Sequence, residues 1–354
     1  MVIPKITLGG VPVGGDAKPF VIAEIGHNHQ GNIEKAIELI DIAAHAGANA
    51  VKFQKRDNKT LFTEAFYNSP YNSENAFGAT YGEHREALEF GLEEYVYLQM
   101  YAAGKGIQFF ATAFDIPSAD FLEALSVPFF KIASGGATNT ELLKHVAEFG
   151  KPMIVSFGGC EWKDIVRAVE TIEPINKQLV LMHCVATYPA PVQSLNLMRI
   201  KMLVERFPEF VIGFSDHQDG VSIGPAAYAL GARVFEKHIT FSHSAKGTDH
   251  AFSLEEYGFQ TYIKYINHAY EAMKMQEQPL EIEKAPIRKM RQGVYAARDL
   301  PNGTWLKPTD LALKSPENGV AAWWYEFLVG KVLRESVRKD EPIKSMHIEG
   351  GLGI

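Results

Sequence analysis

Cysteine is almost absent. The 354 residues hold two, Cys160 and Cys184, each inside or beside an apolar run and neither in a CxxC or other ligand spacing. That argues against a disulfide framework or a cysteine-built metal site and points to a reducing compartment. Charge of one sign is lacking too. The net −7 comes from dispersed residues, with no basic block or stripe to grip a phosphate backbone, so nucleic acid is not an expected partner. No run of about 18 apolar residues occurs, and the opening MVIPKITLGG has no charged segment ahead of an apolar core. Neither a membrane span nor a secretory leader is read from the chain, and the cytoplasm is the expected location. Internal repeats and low-complexity tracts are missing as well.

What is there is an ordinary globular composition, 46% hydrophobic and 22% charged, which supplies a sizeable core. The length exceeds the usual single domain, so one large domain and a small appendage are expected. Short apolar runs recur at FVIAEIG (20–26), AVKFQ (50–54), IQFFATAF (107–114), FFKIAS (129–134), PMIVSF (152–157), QLVLMHCV (178–185), FVIGFSDH (210–217) and RVFEKHIT (233–240). Between them lie helical patterns: Ile33, Ala36, Ile37, Ile40 and Ala44 share one helix face, and Gly47 and Gly150 stand where helices should stop. Continuous apolar strands alternating with helices imply a parallel sheet covered on its outer face. Eight such units predict a closed (β/α)8 TIM barrel over 1–276, followed by a polar linker over 277–289 and a compact β-rich domain over 290–354. The polar, aromatic stretch 55–90 is too long for a simple connection and is expected to be a functional loop over the barrel mouth.

Active sites of such barrels lie at the C-terminal ends of the strands. Those ends carry Glu24, Lys52, Gln54, Thr112, Lys131, Ser134, Ser156, Tyr188, Ser215, Asp216, His217, Glu236 and His238. One lysine at a strand end is more often a salt-bridge partner than a functional group. Two lysines with several hydroxyls at one mouth suit a small polyanion, because ammonium and hydroxyl donors match phosphate and carboxylate oxygens. His217 and His238 end adjacent strands and could share a divalent metal, with Glu236 and Asp216 nearby; taken singly, each is as readily a hydrogen-bonded core histidine. His27 and His29 are read as secondary contacts at most.

The segments FVIAEIGHNHQG, AVKFQK, FFATAF, FFKIASG, HCVATYPAP, GFSDH, EKHIT and KGTDHAFSLE resemble, in order and spacing, the sialic acid (N-acetylneuraminate) synthase family, which includes legionaminic, pseudaminic and spore-coat polysaccharide synthases. The tail segments RQGVYAARDLPNG, LKSPENG and VGKVLRESVRKDEPI resemble that family's antifreeze-like (SAF) domain. The resemblance implies a metal-dependent condensation of phosphoenolpyruvate with a hexosamine-type sugar aldehyde, giving a nonulosonic acid and phosphate. It implies that Lys52, Asn75, Thr112, Lys131, Ser134, Ser156 and Ser215 hold phosphoenolpyruvate, Asn75 being assigned by its spacing to Tyr81. His217 and His238 would hold Mn2+ or Mg2+, while Glu24, Phe114, Tyr188 and Asp249 would contact the sugar. Glu24, Lys52, Lys131 and Glu236 are the catalytic candidates. A homodimer is also implied, with the small domain of one subunit over the barrel of the other.

Three positions depart from the family pattern. Gly136 replaces a glutamate, Ala186 an asparagine near the sugar, and Ser315 an arginine directed to an N-acetyl group. The expected consequence is a roomier sugar pocket and poor use of plain N-acetylmannosamine. Two alternatives stay open: a degenerate relative that binds sugar or anion without turnover, and a metal-dependent sugar isomerase on the same fold.

Overall fold

The computed structural model describes residues 4–352. The chain opens with an antiparallel hairpin, β1 (Lys5–Leu8) and β2 (Val11–Gly14), that the sequence reading passed over. Its turn is Gly9-Gly10 with φ of 54° and 84°, the double positive φ that a tight hairpin demands. Leu8 and Val13 are fully buried, and Gln108 Nε2 donates to the Gly9 carbonyl at 2.9 Å. Because Gln108 begins a barrel strand, the hairpin closes the N-terminal end of the barrel.

The barrel strands are β3 (Phe20–Gly26), β4 (Ala50–Lys55), β5 (Gln108–Ala113), β6 (Phe130–Ile132), β7 (Met153–Ser156), β8 (Leu179–Cys184), β9 (Val211–Asp216) and β10 (Val234–His238). Each lies within the apolar run read for it or extends it by one residue. All pair in parallel, and β10 closes on β3. Both faces are covered, which explains why the runs are continuous rather than alternating. Helix Ile33–Ala46 shows the local grammar: the Asn32 side chain accepts from Lys35 N at 2.9 Å, and Gly47 ends the helix at φ 84°.

The long 55–90 segment is not featureless. It holds three short helices, Asn58–Leu61, Glu64–Tyr67 and Tyr81–Glu86, and an antiparallel bridge between Pro70 and Thr80. Tyr81 packs against Phe62, Phe66 and Tyr71, so an aromatic cluster holds the segment together.

The chain divides into two compact units between Lys274 and Met275. The stretch read as a linker carries a helix, Lys284–Met290. In the second unit β11 (Gly293–Ala296) pairs antiparallel with β12 (Leu311–Lys314) over a small core that includes Val294, Leu306, Leu328 and Ile343. Among the described residues no helix is long and apolar enough to cross a membrane.

Candidate active site

Strand register sets the site. Glu24 faces Lys52 across β3 and β4, Gln54 pairs with Thr112, Thr112 with Lys131, Ser215 with Glu236, and His238 with Glu24. Register partners point to the same side, so these residues share the barrel interior. They line a cavity of about 610 Å³ at the C-terminal ends of the strands.

At its floor Glu236 sits between the two lysines, with Oε2 3.6 Å from Lys52 Nζ and 3.8 Å from Lys131 Nζ, while Oε1 accepts from Ser215 Oγ at 3.0 Å. Lys52 also pairs with Glu24 Oε2 at 2.7 Å and donates to Thr112 Oγ1 at 2.6 Å. Lys131 donates to Ser156 Oγ at 2.7 Å. Burial opposes the charge on each group. In Lys52 the Glu236 and Glu24 carboxylates overcome burial and hold the ammonium above its ordinary range. In Lys131 burial wins, aided by the repulsion of Lys52, and its affinity for a proton falls. The two lysines and the Ser215 hydroxyl hold Glu236 below the carboxylate range despite its burial.

His217 and His238 face each other with ring centroids 5.4 Å apart. Burial, with the neighbouring His238, lowers His217 to about 3, so it is neutral, and its Nδ1 lies 2.8 Å from the Val185 carbonyl. That contact fixes the proton on Nδ1 and leaves Nε2 as a lone-pair donor, the form a ligating histidine takes. His238 Nδ1 is buried without a hydrogen-bond partner, 3.8 Å from Asp249 Oδ2. Among the described residues no group of three or more His, Cys, Asp or Glu side chains could hold a metal. His217 and His238 are donors that would suit a divalent cation.

Around this pair, Tyr188 lies over His217 with centroids 4.2 Å apart, and Asp249 Oδ1 accepts from Thr248 Oγ1 at 2.9 Å. Asn75 reaches the cavity from the long segment, where its Oδ1 accepts from Gly247 N at 2.9 Å. Ser134 lines the wall, its Oγ accepting from Gly158 N at 2.8 Å. Phe114 lies beneath Arg56, whose guanidinium carbon is 3.6 Å from the ring centroid.

Two corrections follow. Asp216 does not belong to the site: alternation turns it outward, where it pairs with Lys237 at 3.2 Å with both side chains fully buried. Gly136 does not line the cavity. A Cβ there would press to 2.9 Å on Ile132 Cγ2, so the missing glutamate does not enlarge the pocket, whereas Ala186 does face it. Ser315 lies in the second unit, where its Oγ donates to the Met290 carbonyl at 3.1 Å.

The sequence reading missed Arg56, Arg85 and Cys184, and undervalued His27; all four line the cavity. Arg56 was legible, since Lys52, Gln54 and Arg56 continue the alternation of β4 outward. Nothing local marks Arg85, which the fold of the long segment delivers. Cys184 is free and buried, and burial pushes its thiol up to about 11, so it is not a thiolate nucleophile at neutral pH. His29 is structural, stacked on Phe90 with centroids 4.3 Å apart.

A parallel barrel that gathers lysines, hydroxyls, carboxylates and two histidines in one mouth has the arrangement of a barrel enzyme's active site. The model of the NeuB family matches residues 39–278, and that of the SAF domain matches residues 291–349. The chain is 39% identical over 350 residues to an N-acetylneuraminate-9-phosphate synthase of Drosophila melanogaster, spanning 92% of this chain and 94% of the relative. It is 34% identical over 345 residues to an N,N'-diacetyllegionaminic acid synthase of Legionella pneumophila, spanning 96% and 97%. The crystal structure of the N-acetylneuraminic acid synthetase from Leptospira borgpetersenii matches with a TM-score of 0.69 at 34% identity, over 81% of this chain and 96% of that one. The chain belongs to the NeuB family, a family of sialic and other nonulosonic acid synthase enzymes, and it ends in a SAF domain.

Proposed function

We propose that this enzyme condenses phosphoenolpyruvate with a hexosamine-type sugar aldehyde, releasing phosphate and a nonulosonic acid. The observation that carries the reading is Glu236 held loosely between Lys52 and Lys131 within reach of the Ser215 hydroxyl. The 3.6 and 3.8 Å gaps leave Glu236 without a close ion pair, so Lys131 can turn to an incoming anion, while Lys52 keeps Glu24 at 2.7 Å. Lys52 and Lys131, with the Thr112, Ser134, Ser156 and Ser215 hydroxyls, would hold the phosphate and carboxylate, and Asn75 would close over them from the long segment.

His217 and His238 would hold a divalent cation, which supplies Lewis-acid polarisation of the aldehyde oxygen when bound. Glu24, anchored by Gln54 Nε2 at 2.7 Å and by Lys52, would take a sugar hydroxyl and manage the proton of the attacking water. Asp249 and Tyr188 would orient the sugar, with Phe114 as part of the wall. The methylene carbon of phosphoenolpyruvate forms the new bond to the aldehyde carbon, water adds to the enol carbon, and phosphate leaves with its bridging oxygen. Both cysteines are free and buried, which suits a reducing cytoplasm. A homodimer would give the exposed Trp305 and Trp323 of the second unit an apolar cover.

The test is phosphate release from phosphoenolpyruvate with Mn2+ and a panel of hexosamines. Release that requires both substrates is expected. Phosphoenolpyruvate binding with no release on any sugar would instead select a relative that binds without turnover.

A further inference from the structure

Arg56 and Arg85 meet at the outer wall of the cavity across a single imidazole. Arg56 Nη1 lies 2.9 Å from His27 Nε2, and Arg85 Nη1 lies 3.2 Å from His27 Nδ1. A neutral imidazole has one acceptor nitrogen, so it satisfies only one of the two guanidinium donors; the other faces an N–H. Protonation would make this worse, and burial together with the charges of Arg56 and Arg85 holds His27 well below its ordinary range. The remaining partners are neutral: Gln54 Oε1 accepts from Arg56 at 2.7 Å, and Tyr81 OH accepts from Arg85 at 2.9 and 3.0 Å. Among the described residues neither guanidinium makes an ion pair with a carboxylate. Glu89 pairs through Oε2 with Lys55 at 3.0 Å and with the Arg56 backbone N–H at 3.3 Å, and its Oε1 comes no closer to this group than 4.0 Å from His27 Nε2 among the ion pairs described. Asp249 is felt by Arg56 only at longer range.

Two half-satisfied cations side by side in a cavity wall are a site awaiting an anion. Burial and the repulsion of Arg85 lower Arg56 to about 10, more than the opposing pull of Glu89 restores. The lining holds Lys52, Arg56, Arg85 and Lys131 against Glu24, Glu236 and Asp249, one positive charge in excess, and the excess lies at this pair because the lysines already face carboxylates. The pair is also displaced from the floor. Lys52, Gln54 and Arg56 climb β4 at alternate positions, which puts Arg56 roughly 13 Å along the strand direction from Lys52. Between the two head groups stand Gln54, which accepts from Arg56, and Glu24, which accepts from Gln54 and pairs with Lys52.

Resting on the proposed synthase reading, we infer that the sugar acceptor of this enzyme carries a phosphate monoester at the end remote from its aldehyde, and that Arg56 and Arg85 clamp it. The aldehyde at His217 and His238 and the phosphate at the arginines would stretch an open-chain hexose across the cavity. Membership of the family does not decide this, because the relatives' names include both a phosphorylated and an unphosphorylated product.

The test compares N-acetylmannosamine with its 6-phosphate in steady-state turnover by the intact enzyme, and measures binding of each by calorimetry without phosphoenolpyruvate. The phosphorylated sugar should show a kcat/KM at least about a hundredfold higher. Arg85→Met should cut that ratio roughly tenfold or more while the KM for phosphoenolpyruvate stays put, and Arg85→Lys should recover part of it. If the synthase reading fails and neither sugar turns over, binding of the sugar phosphate that is lost in Arg85→Met still supports the clamp. Equal preference for the two sugars with no binding advantage for the phosphate overturns it. So does a rise in the KM for phosphoenolpyruvate alone, which would give the arginines to that substrate, or inorganic phosphate binding as tightly as the sugar phosphate, which would make the site one for the product ion.

Discussion

Two buried carboxylate–lysine groups in this barrel lie one residue step apart along β9 and β10 and differ in everything that matters. Outward, Asp216 and Lys237 meet at 3.2 Å with no exposure, Lys237 donates to the Gln218 carbonyl, Gln218 N donates to Asp216 at 2.9 Å, and the Tyr262 ring lies 5.6 Å from the ammonium. Inward, Glu236 stands 3.6 and 3.8 Å from two lysines and opens onto a cavity. The outer pair is closed to any ligand by complete burial. The loose group can exchange a protein carboxylate for a substrate anion, and the two-residue period of the strand sorts one role from the other.

The largest effect expected from breaking this contrast is functional and comes from the inner group. Lys131→Met should weaken phosphoenolpyruvate binding at least about a hundredfold, since two or more charge-assisted contacts of about 1.5–3 kcal/mol each are lost. The melting temperature should change little, because the fold already disfavours the charge on Lys131. Calorimetry and a thermal melt on one preparation check both halves.

The outer pair should behave in the opposite way. Asp216→Asn leaves Lys237 buried without its counterion and should cost about 3–5 kcal/mol of stability, with the KM for phosphoenolpyruvate unchanged. Asp216→Leu combined with Lys237→Met should restore most of the loss. Urea unfolding of the three proteins decides it, and a double variant no more stable than the single one would argue against a purely structural pair.

A similar contrast separates His27, in the cavity lining, from His29, packed behind it. Burial lowers His29 to about 3. Between that value and an unfolded value near about 6.5 the unfolded chain holds a proton the folded chain lacks, so stability falls as pH drops through this window. The loss from His29 at pH 5 should be about 2 kcal/mol relative to pH 7. His29→Asn should flatten the pH dependence of the unfolding free energy by that amount; an unaltered slope would contradict the assignment.

The smallest effect expected lies at the sugar wall. Ala186→Asn should shift preference among hexosamines severalfold and change the KM for phosphoenolpyruvate less, because Ala186 lines the cavity and the added amide offers a donor to a sugar oxygen. Competition between sugars in one reaction reads the shift directly.

Much of this is legible in the sequence. Eight apolar runs gave eight strands because a parallel strand is buried on both faces, and polar residues at the ends of those runs stood out against that background. What was misread depended on phase and on distance. Asp216 was grouped with His217 because both end one run, yet adjacent strand residues face opposite ways. Gly136 looked like a gap in the pocket because sequence order places it beside Ser134, while the tight turn directs its Cβ at Ile132. The opening hairpin carried its signal in Gly9-Gly10 but lay outside the counted rhythm. Arg85 has no local signal at all, since the packing of the short helices of the long segment decides where it arrives.

The central claim is that the loosely paired lysine floor serves a phosphoenolpyruvate-dependent condensation. It is tested most directly by following inorganic phosphate and the sugar product together, with phosphoenolpyruvate, Mn2+ and a phosphorylated hexosamine, in the native enzyme and in Lys131→Met. Equimolar phosphate and a nine-carbon acid from the native enzyme, with neither from the variant, is the predicted result. Phosphate released from phosphoenolpyruvate without a sugar, or a product formed equally well by Lys131→Met, would contradict it.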